Sequence, residues 1–449
     1  MGKLWEKGYR LDAEVERFTV GKDYILDQEL VEVDCLGSIA HARMLSEIGI
    51  LTKREFSGLK AALLEIIRLD KKGKFKIKPA DEDVHTAVEN FLTKKLADLG
   101  KKIHIGRSRN DQVLVDLRMY ARGHLLDIEE EVLGLVEVLV DFAKKHSRVP
   151  MVGRTHTQPA MPSSVGLWAA SFAEALLDDL ELIKTAYDLN NQSPLGAAAG
   201  FGTSLPIDRG LTARLLGFRK VQNNVLYAVT SRPKFEAVIL FALSQVMDDL
   251  ARLASDLIFY SVPEMRYFTL PKEYCPGSSV MPQKRNPAPL ELIRAKAAGV
   301  GACLTQVTNT ARLLPSGYNR DFQETKEALF RSFETTEASL KISRLIFSKL
   351  KVNEKALLAG FTPEVFAADL ATKMAEEGVP FRKAYKEVAQ KLDKLESQDP
   401  RENILRKKHQ GAPGNLGLLR VRNKIRRELL RVKKERSRLG KVRRALLAL

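Results

Sequence analysis

An eleven-residue segment at positions 277–287 gathers side chains that could abstract a proton and stabilise the charge that develops. Its sequence is GSSVMPQKRNP, and the glycine and the two serines predict a mobile loop. Ser278 offers a hydroxyl as a candidate base, while Lys284 and Asn286 offer donors for a developing anion. Composition alone favours an ordinary polar turn, so the catalytic interpretation depends on the complete string.

A second polar segment, RTHTQPAMP at 154–162, contains Thr155 and His156. An imidazole exchanges protons near neutral pH when a carboxylate fixes its tautomer and raises its basicity. A lone histidine before a helix is more often a capping or structural residue. This segment by itself therefore does not predict catalysis.

The segments DEDVHT at 81–86 and HIGRSRNDQ at 104–112 add charged and amide side chains, namely Asp83, His85, Ser108, Arg109 and Asn110. The simplest interpretation of the second segment is a solvated helix start with a polar cap. Asp81, Asp83 and His85 could together ligate a divalent ion, but no second ligand cluster or metal-specific spacing accompanies them. We therefore expect no metal site.

The elements that must position these segments are helices, because helical periodicity dominates the chain and strand-like alternation is scarce. This pattern predicts an all-α fold. A central bundle is predicted from five long helical stretches, at 112–145, 162–190, 233–261, 288–313 and 325–350. The third stretch is apolar nearly all round from Phe235 to Leu250, which predicts burial by oligomerisation.

The charge of the chain is concentrated in its last part. The 449 residues carry a net charge of +17, and residues 401–449 hold 17 Lys or Arg against three Glu, which leaves the remainder nearly neutral. From residue 415 onward, apolar residues recur every seven positions, which predicts a basic amphipathic helix appended to the body. Such a tail makes nucleic acid a possible partner.

Membrane and secretory classes are not favoured. The three cysteines, Cys35, Cys275 and Cys303, lie far apart, and no apolar stretch is long enough to span a bilayer. Residues 1–10 contain no apolar core of the kind a secretion signal has. We therefore expect a cytoplasmic protein without a membrane partner.

The string GSSVMPQKRNP resembles the signature loop GSSxMPxKxNP of the superfamily of fumarases, aspartases, adenylosuccinate lyases and argininosuccinate lyases. RTHTQPAMP resembles the THxQxAxP segment of the same superfamily. The resemblance implies that Ser278 is the base, that Lys284 supports catalysis and that Thr155 contacts substrate. It pairs His156 with Glu291 for proton handling and implies no cofactor.

Three further segments, DEDVHT, GRSRNDQ and YNRDFQE, resemble the argininosuccinate lyases, which release fumarate from argininosuccinate and leave arginine. The resemblance implies substrate contacts by Ser108, Arg109, Asn110, Asn286, Tyr318, Gln323 and Lys326, with Asp83 and His85 close by. Three alternatives stay open. They are another fumarate-releasing lyase such as adenylosuccinate lyase, a nucleic-acid-binding protein that uses the tail, and an inactive structural protein on the same scaffold.

The superfamily resemblance, which extends from about residue 17 to about residue 391, implies three helical domains. We place them at 1–111, 112–353 and 354–449. It also implies a homotetramer whose active sites combine segments of different subunits. Near the N-terminus, Asp23 stands close to the position at which the family often has a serine that contacts substrate.

Overall fold

The computed structural model describes residues 11–449, which fold mainly into helices, so the all-α prediction is confirmed. The first ten residues, which include the start of the predicted N-terminal domain and the segment tested for a secretion signal, lie outside the described residues. Residues 11–108 form α1 (Ala13–Val20), α2 (Asp23–Leu26), α3 (Val31–Glu47), α4 (Lys53–Lys71), α5 (Val84–Leu96) and α6 (Asp98–Lys101). Short 3-10 helices connect them at Asp27–Leu30, Pro79–Asp81 and Lys102–His104.

Local sequence signals explain how these helices begin. Thr52 and Glu55 form a capping box at the start of α4, in which Glu55 N donates to Thr52 Oγ1 at 3.2 Å and Thr52 N donates to Glu55 Oε2 at 2.8 Å. One face of α4 then buries Phe56, Leu59 and Leu63 in the main core. The periodicity of the sequence thus defines both the start and the buried face of this helix.

The central part contains the five long helices and several short elements. They are α7 (Arg109–Lys145), β1 (Pro150–Thr155), β2 (Gln158–Ser164), α8 (Val165–Asn190), β3 (Gln192–Ser193), α9 (Arg209–Leu215), β4 (Lys220–Val221), α10 (Val225–Thr230), α11 (Arg232–Ser261), β5 (Phe268–Thr269), α12 (Ala288–Ala311), α13 (Thr325–Lys349) and β6 (Lys351–Val352). Additional 3-10 helices lie at Lys272–Tyr274 and Arg320–Glu324.

The helices α7, α8, α11, α12 and α13 pack together as the predicted five-helix bundle. Their inward faces supply much of one continuous core, which also includes residues of α3, α4, α5 and the last helix of the chain. In α11, residues such as Ile239, Leu243 and Val246 are buried, but Phe241 is 46% exposed. The apolar circumference predicted for this helix is therefore only partly covered within one chain.

The helix predicted at 162–190 is confirmed as α8, but its first three predicted residues are not helical. Residues 150–164 instead form an antiparallel hairpin of β1 and β2, and α8 begins at Val165 with Ser164 as its cap. Ser164 Oγ accepts a hydrogen bond from Leu167 N at 3.0 Å. The two-residue turn His156-Thr157 lacks the usual Asn-Gly signal of a tight hairpin, so local sequence does not predict these strands.

The remaining strands form two small ladders, β3 parallel to β4 and β5 antiparallel to β6. The chain ends in α14 (Glu354–Ala359), α15 (Ala367–Glu376), α16 (Phe381–Ala389), α17 (Pro400–Arg406) and α18 (Leu418–Ala448), with 3-10 helices at Pro363–Phe366 and Leu392–Lys394. Across the described residues, no helix has the length and apolar character needed to cross a membrane.

The predicted amphipathic tail helix is confirmed as α18, but it is not an appendage. It packs against α7 and touches α3 and α9, burying Val421, Ile425, Val432 and Leu446. Its apolar stripe is therefore part of the main core. The division into domains at 111/112 and 353/354 stays a prediction, and α18 makes its contacts across both of those boundaries.

Candidate active site

A cavity of about 250 Å³ lies where the first turns of α5, α7, α11 and α13 meet. Helix N-termini present unpaired N–H groups and the positive end of a dipole, so this arrangement favours bound anions. Seven predicted substrate residues line the cavity: Asp83, His85, Arg109, Asn110, Tyr318, Gln323 and Lys326. The rest of the lining consists of Val20, Asp23, Asp27, Glu82, Val113, Arg232 and Arg320.

Lys326 reaches the cavity from the start of α13 and is 1% exposed. Its Nζ lies 3.0 Å from Asp23 Oδ1 and also contacts Asp27 Oδ1. Burial opposes the charged ammonium, but the two carboxylates outweigh this effect, and the pKa of Lys326 is raised. Asp23 stands near the position at which the family often has a serine. Its carboxylate pairs with the Lys326 ammonium, where the family would have a serine hydroxyl.

Arg109 is held by three acceptors at the start of α5. Its Nη1 lies 3.0 Å from Glu82 Oε2 and 3.1 Å from Asp83 Oδ2, and its Nη2 donates to Thr86 Oγ1 at 2.8 Å. Asp83 also caps α5 by accepting from Thr86 N at 2.8 Å. The guanidinium is therefore fixed in orientation before any substrate binds.

His85 contacts two buried carboxylates on its Nδ1 side. Nδ1 lies 2.9 Å from Asp34 Oδ1 and 3.7 Å from Asp116 Oδ2. Burial alone would lower the pKa of His85, but the hydrogen bond and charge of Asp34 outweigh it and raise the pKa to about 9. His85 therefore adds a further positive charge to the cavity wall near neutral pH.

The remaining predicted residues of this group occupy defined positions. Gln323 Nε2 donates to Thr19 O at 3.2 Å, which ties its 3-10 helix to α1, and Tyr318 packs edge-on against Phe322. Ser108 is the cap of α7, where its Oγ accepts from Asn110 N at 3.3 Å. Ser108 does not line the cavity, so its contact with substrate stays a prediction.

Two arginines of the cavity were missed in the sequence. Arg320 lies between Tyr318 and Gln323 in the YNRDFQE segment and donates from Nη2 to Thr19 O at 2.9 Å. Arg232 is the first residue of α11 and pairs through Nε with Glu236 Oε1 at 3.0 Å. A cation at a helix N-terminus is disfavoured by the helix dipole. An arginine at the start of the predicted third helix was therefore the sequence feature that could have indicated a functional role for Arg232.

Thr155 and His156 lie outside the cavity, at the exposed tip of the β1–β2 hairpin. His156 and Thr157 both have positive φ, 52° and 60°, as the turn of a two-residue hairpin requires. Such a conformation is strained for a β-branched residue, and strained backbone is concentrated at functional sites. Thr155 borders a separate cavity between the hairpin and the C-terminal helices.

The segment 277–287 forms an exposed loop before α12, and Val280 at its tip is 82% exposed. Asn286 closes the base of the loop, since its N donates to Pro276 O at 3.0 Å and its Nδ2 to Gly277 O at 3.2 Å. Val280 N and Met281 N donate to Ser278 Oγ at 3.3 and 3.1 Å. The side chain of Ser278 is half-buried, whereas that of Lys284 is exposed.

The hairpin and the loop lie at the opposite end of the bundle from the cavity. α7 begins at the cavity with Arg109 and runs for 37 residues, about 55 Å, before the chain enters the hairpin. α13 also begins at the cavity, and its last residue, Lys349, pairs with Glu273 just before the loop at 3.3 Å. Within one chain, the cavity therefore lies at one end of the bundle, and Ser278 and His156 lie at the other.

The predicted pairing of His156 with Glu291 is not made within one chain. Both side chains are exposed, and among the described residues no ion pair joins them. Glu291 lies in the first turn of α12, where a carboxylate is favoured by the helix dipole. The pairing stays a prediction that requires a second subunit.

Comparison with known proteins agrees with the motifs. A family described as "Lyase" matches residues 10–301. The chain is 45% identical over 389 residues to the argininosuccinate lyase of Thermotoga neapolitana, covering 87% of this chain and 98% of that protein. It is 43% identical over 414 residues to the argininosuccinate lyase of Phocaeicola vulgatus, covering 92% of each.

Solved structures share the fold. EDDS lyase in complex with formate superposes with a TM-score of 0.79 at 24% identity, covering 98% of this chain and 94% of that chain. Class II fumarase from Schistosoma mansoni gives 0.71 at 17% identity, covering 86% and 94%. At such low identity these two establish the fold alone. The identity to relatives over nearly their full length is decisive, and the chain belongs to the argininosuccinate lyase family.

Proposed function

We propose that the chain splits argininosuccinate into arginine and fumarate in a site built around the cavity at the four helix starts. The substrate carries three carboxylates and a guanidinium, so its site needs cations, amides and a few acceptors. The cavity supplies cations (Arg109, Arg232, Arg320 and Lys326), amides (Asn110 and Gln323) and carboxylates (Asp23 and Asp83). This mixed lining at converging N-termini is the observation that supports the substrate assignment.

The difficult step removes a weakly acidic proton next to a carboxylate and leaves a doubly charged aci-carboxylate. We assign Ser278 as the base. A serine hydroxyl is a weak base unless its alkoxide is stabilised, and the two backbone N–H groups that donate to Ser278 Oγ favour the deprotonated form. Lys284 and Asn286 then stabilise the developing charge once the loop has closed over substrate and excluded water.

We assign proton handling to His156 with Glu291, and substrate contact to Thr155 beside them. A carboxylate next to imidazole raises the basicity of the ring and fixes its tautomer, so the histidine can exchange protons near neutral pH. The strained turn gives His156 a defined position at the tip of a rigid hairpin. Among residues 11–449, neither side chain contacts a partner of this kind, which points to a neighbouring subunit.

We infer that each active site combines the cavity of one subunit with the loop and hairpin of others in a homotetramer. The separation of about 55 Å along α7 supports this inference, because no loop closure spans it. The outer face of α12 also carries exposed small and apolar side chains, namely Leu292 (57% exposed), Ala295, Ala298, Gly299 and Ala302. Such a face permits close packing of a second helix.

Complementation between two inactive variants tests the shared site. Ser278→Ala and Lys326→Met should each be inactive alone. When both chains are co-expressed in mixed tetramers, random assembly puts an intact cavity opposite an intact Ser278 in about one quarter of the sites. We expect about a quarter of the wild-type activity to return, measured as fumarate absorbance.

The matched control pairs Arg109→Ala with Lys326→Met, two changes in the same cavity. Every mixed site then has a defective cavity, so no activity should return. Failure of the first pair to recover activity in verified mixed tetramers would refute the shared site. Substrate choice is tested separately with the wild-type protein, because fumarate release from adenylosuccinate instead of argininosuccinate would refute the substrate assignment.

We also infer a cytoplasmic location. Cys35, Cys275 and Cys303 are all free thiols, and two of them are buried. Thiols that are not paired suit a reducing compartment. Fractionation of the native cells with an antibody against the chain tests this, and recovery in a secreted fraction would contradict it.

A further inference from the structure

The outward side of α18 carries an unusual concentration of positive charge. Seven exposed side chains form what we call the basic face: Arg420, Arg426, Arg427, Lys433, Lys434, Lys441 and Arg444. Within the described residues, none of the seven has a carboxylate partner. The only acidic residues of α18, Glu428 and Glu435, are at least partly buried and pair with other side chains.

The inward cations of the same helix are different, because the body neutralises them. Arg431 pairs with Glu129 of α7, Arg436 with Asp127 and Arg443 with Glu32 of α3. These pairs fix the rotation of α18 on the bundle together with its buried apolar stripe. The lyase fold therefore accounts for the inward cations, whereas the basic face has no role in the site described above.

The basic face has a regular spacing. Its cations recur as neighbouring pairs seven residues apart, at 426–427 and 433–434, and Arg420 and Lys441 continue the row by further steps of seven. From Arg420 to Arg444 the face extends over about 36 Å, at roughly 1.5 Å per residue. This length is close to one helical turn of duplex DNA, about 34–36 Å.

A groove of about 700 Å³ runs beside the basic face, between α18 and the end of α8. Lys433, Lys434 and Lys441 form its cationic wall on α18. On the opposite side Lys184 and Arg219 are already paired, with Glu181 and Asp188. A strand of phosphates following this groove would meet cations along one wall. The charge and the shape of the surface thus both fit an extended polyanion.

We propose that the basic face binds the phosphate backbone of double-stranded nucleic acid without regard to base sequence. An anionic membrane is the competing polyanion, but an amphipathic helix binds a membrane through its apolar face. The apolar face of α18 is buried against α7, and on the outward side the cations outnumber apolar residues such as Leu419 and Leu430. A polyelectrolyte partner is therefore favoured, and it binds away from the lyase site.

Fluorescence anisotropy with a labelled DNA duplex of roughly two helical turns tests the proposal on the full-length protein. Seven phosphate contacts predict that log Kd rises with log salt concentration with a slope of up to about 6. Replacing Lys433, Lys434 and Lys441 with glutamine should reduce that slope by about 3 and weaken binding at low salt by about tenfold or more. Lyase activity should be unchanged in this variant.

The matched control replaces Lys53, Lys72 and Lys74 of the N-terminal part with glutamine. These three are also exposed and without ion-pair partners among the described residues, so the change in net charge is identical. The control should bind the duplex like the wild type. Equal loss in both variants, or no duplex binding at low salt, would overturn the proposal, as would sedimentation with phosphatidylserine vesicles in the absence of duplex binding.

Discussion

Replacing Lys326 with methionine tests the charge balance of the cavity. The ammonium lies between Asp23 and Asp27, and Asp27 is 1% exposed. Methionine occupies a similar volume and adapts to its surroundings, so the change removes charge rather than packing. In this variant the buried carboxylate of Asp27 keeps the hydrogen bond from Val84 N at 3.0 Å but loses the cation that offset its charge.

Removing one partner of a buried ion pair costs about 3–5 kcal/mol, because it leaves an uncompensated charge in the interior. This corresponds to a decrease of roughly two to four orders of magnitude in the folding equilibrium constant. We expect a lower midpoint of urea unfolding for Lys326→Met, measured at a fixed protein concentration because assembly also contributes to stability. Turnover should be lost as well, since the ammonium is a proposed substrate contact.

The double variant Lys326→Met/Asp27→Asn separates these two effects. Asparagine still accepts from Val84 N but carries no charge, so at least half of the lost unfolding free energy should return while turnover stays absent. Lys349→Met, which breaks the exposed pair with Glu273, serves as a control that should leave the midpoint unchanged. An unaltered midpoint in Lys326→Met, or activity in the double variant, would refute the reasoning.

Three further changes follow from the structure. The pKa of His85 is raised to about 9, so its ionic contribution to stability is complete below its unfolded pKa of about 6.5 and is lost as pH rises through 9. Urea midpoints should therefore decline from pH 6.5 to 9.5, and His85→Gln should make that decline shallower. Thr157→Gly removes a β-branched residue from φ 60° and should raise the unfolding free energy by about 1 kcal/mol, seen as a higher Tm. Gly100→Ala would place a Cβ 2.4 Å from backbone atoms of Leu92 and should cost about 1–3 kcal/mol, whereas Gly123→Ala has open space and should not lower the Tm.

Several features of the fold could be predicted from the sequence because they depend on local pattern. The apolar periodicity of the five long stretches located the bundle helices to within a few residues, and Thr52 with Glu55 identified the start of α4. The hairpin at 150–164 could not be predicted in this way. Its three prolines and the turn His156-Thr157 carry no strand pattern, and the strands are stabilised by pairing with each other.

The same distinction applies to the candidate site. The sequence determined the residue types and the motifs, and therefore the family and half of the residues that line the cavity. Only the tertiary structure decided how they combine. Arg232 joins the cavity because α11 begins beside α7 and α13. Ser278 is far from that cavity because α11 carries the chain to the other end of the bundle before the loop begins. The charge of the tail was also resolved only by the tertiary structure. Composition counts every cation of the tail alike. Packing places those on one side of α18 beside carboxylates of the body and leaves the basic face in solvent. Distances between residues remote in sequence are set by packing, which local pattern does not encode.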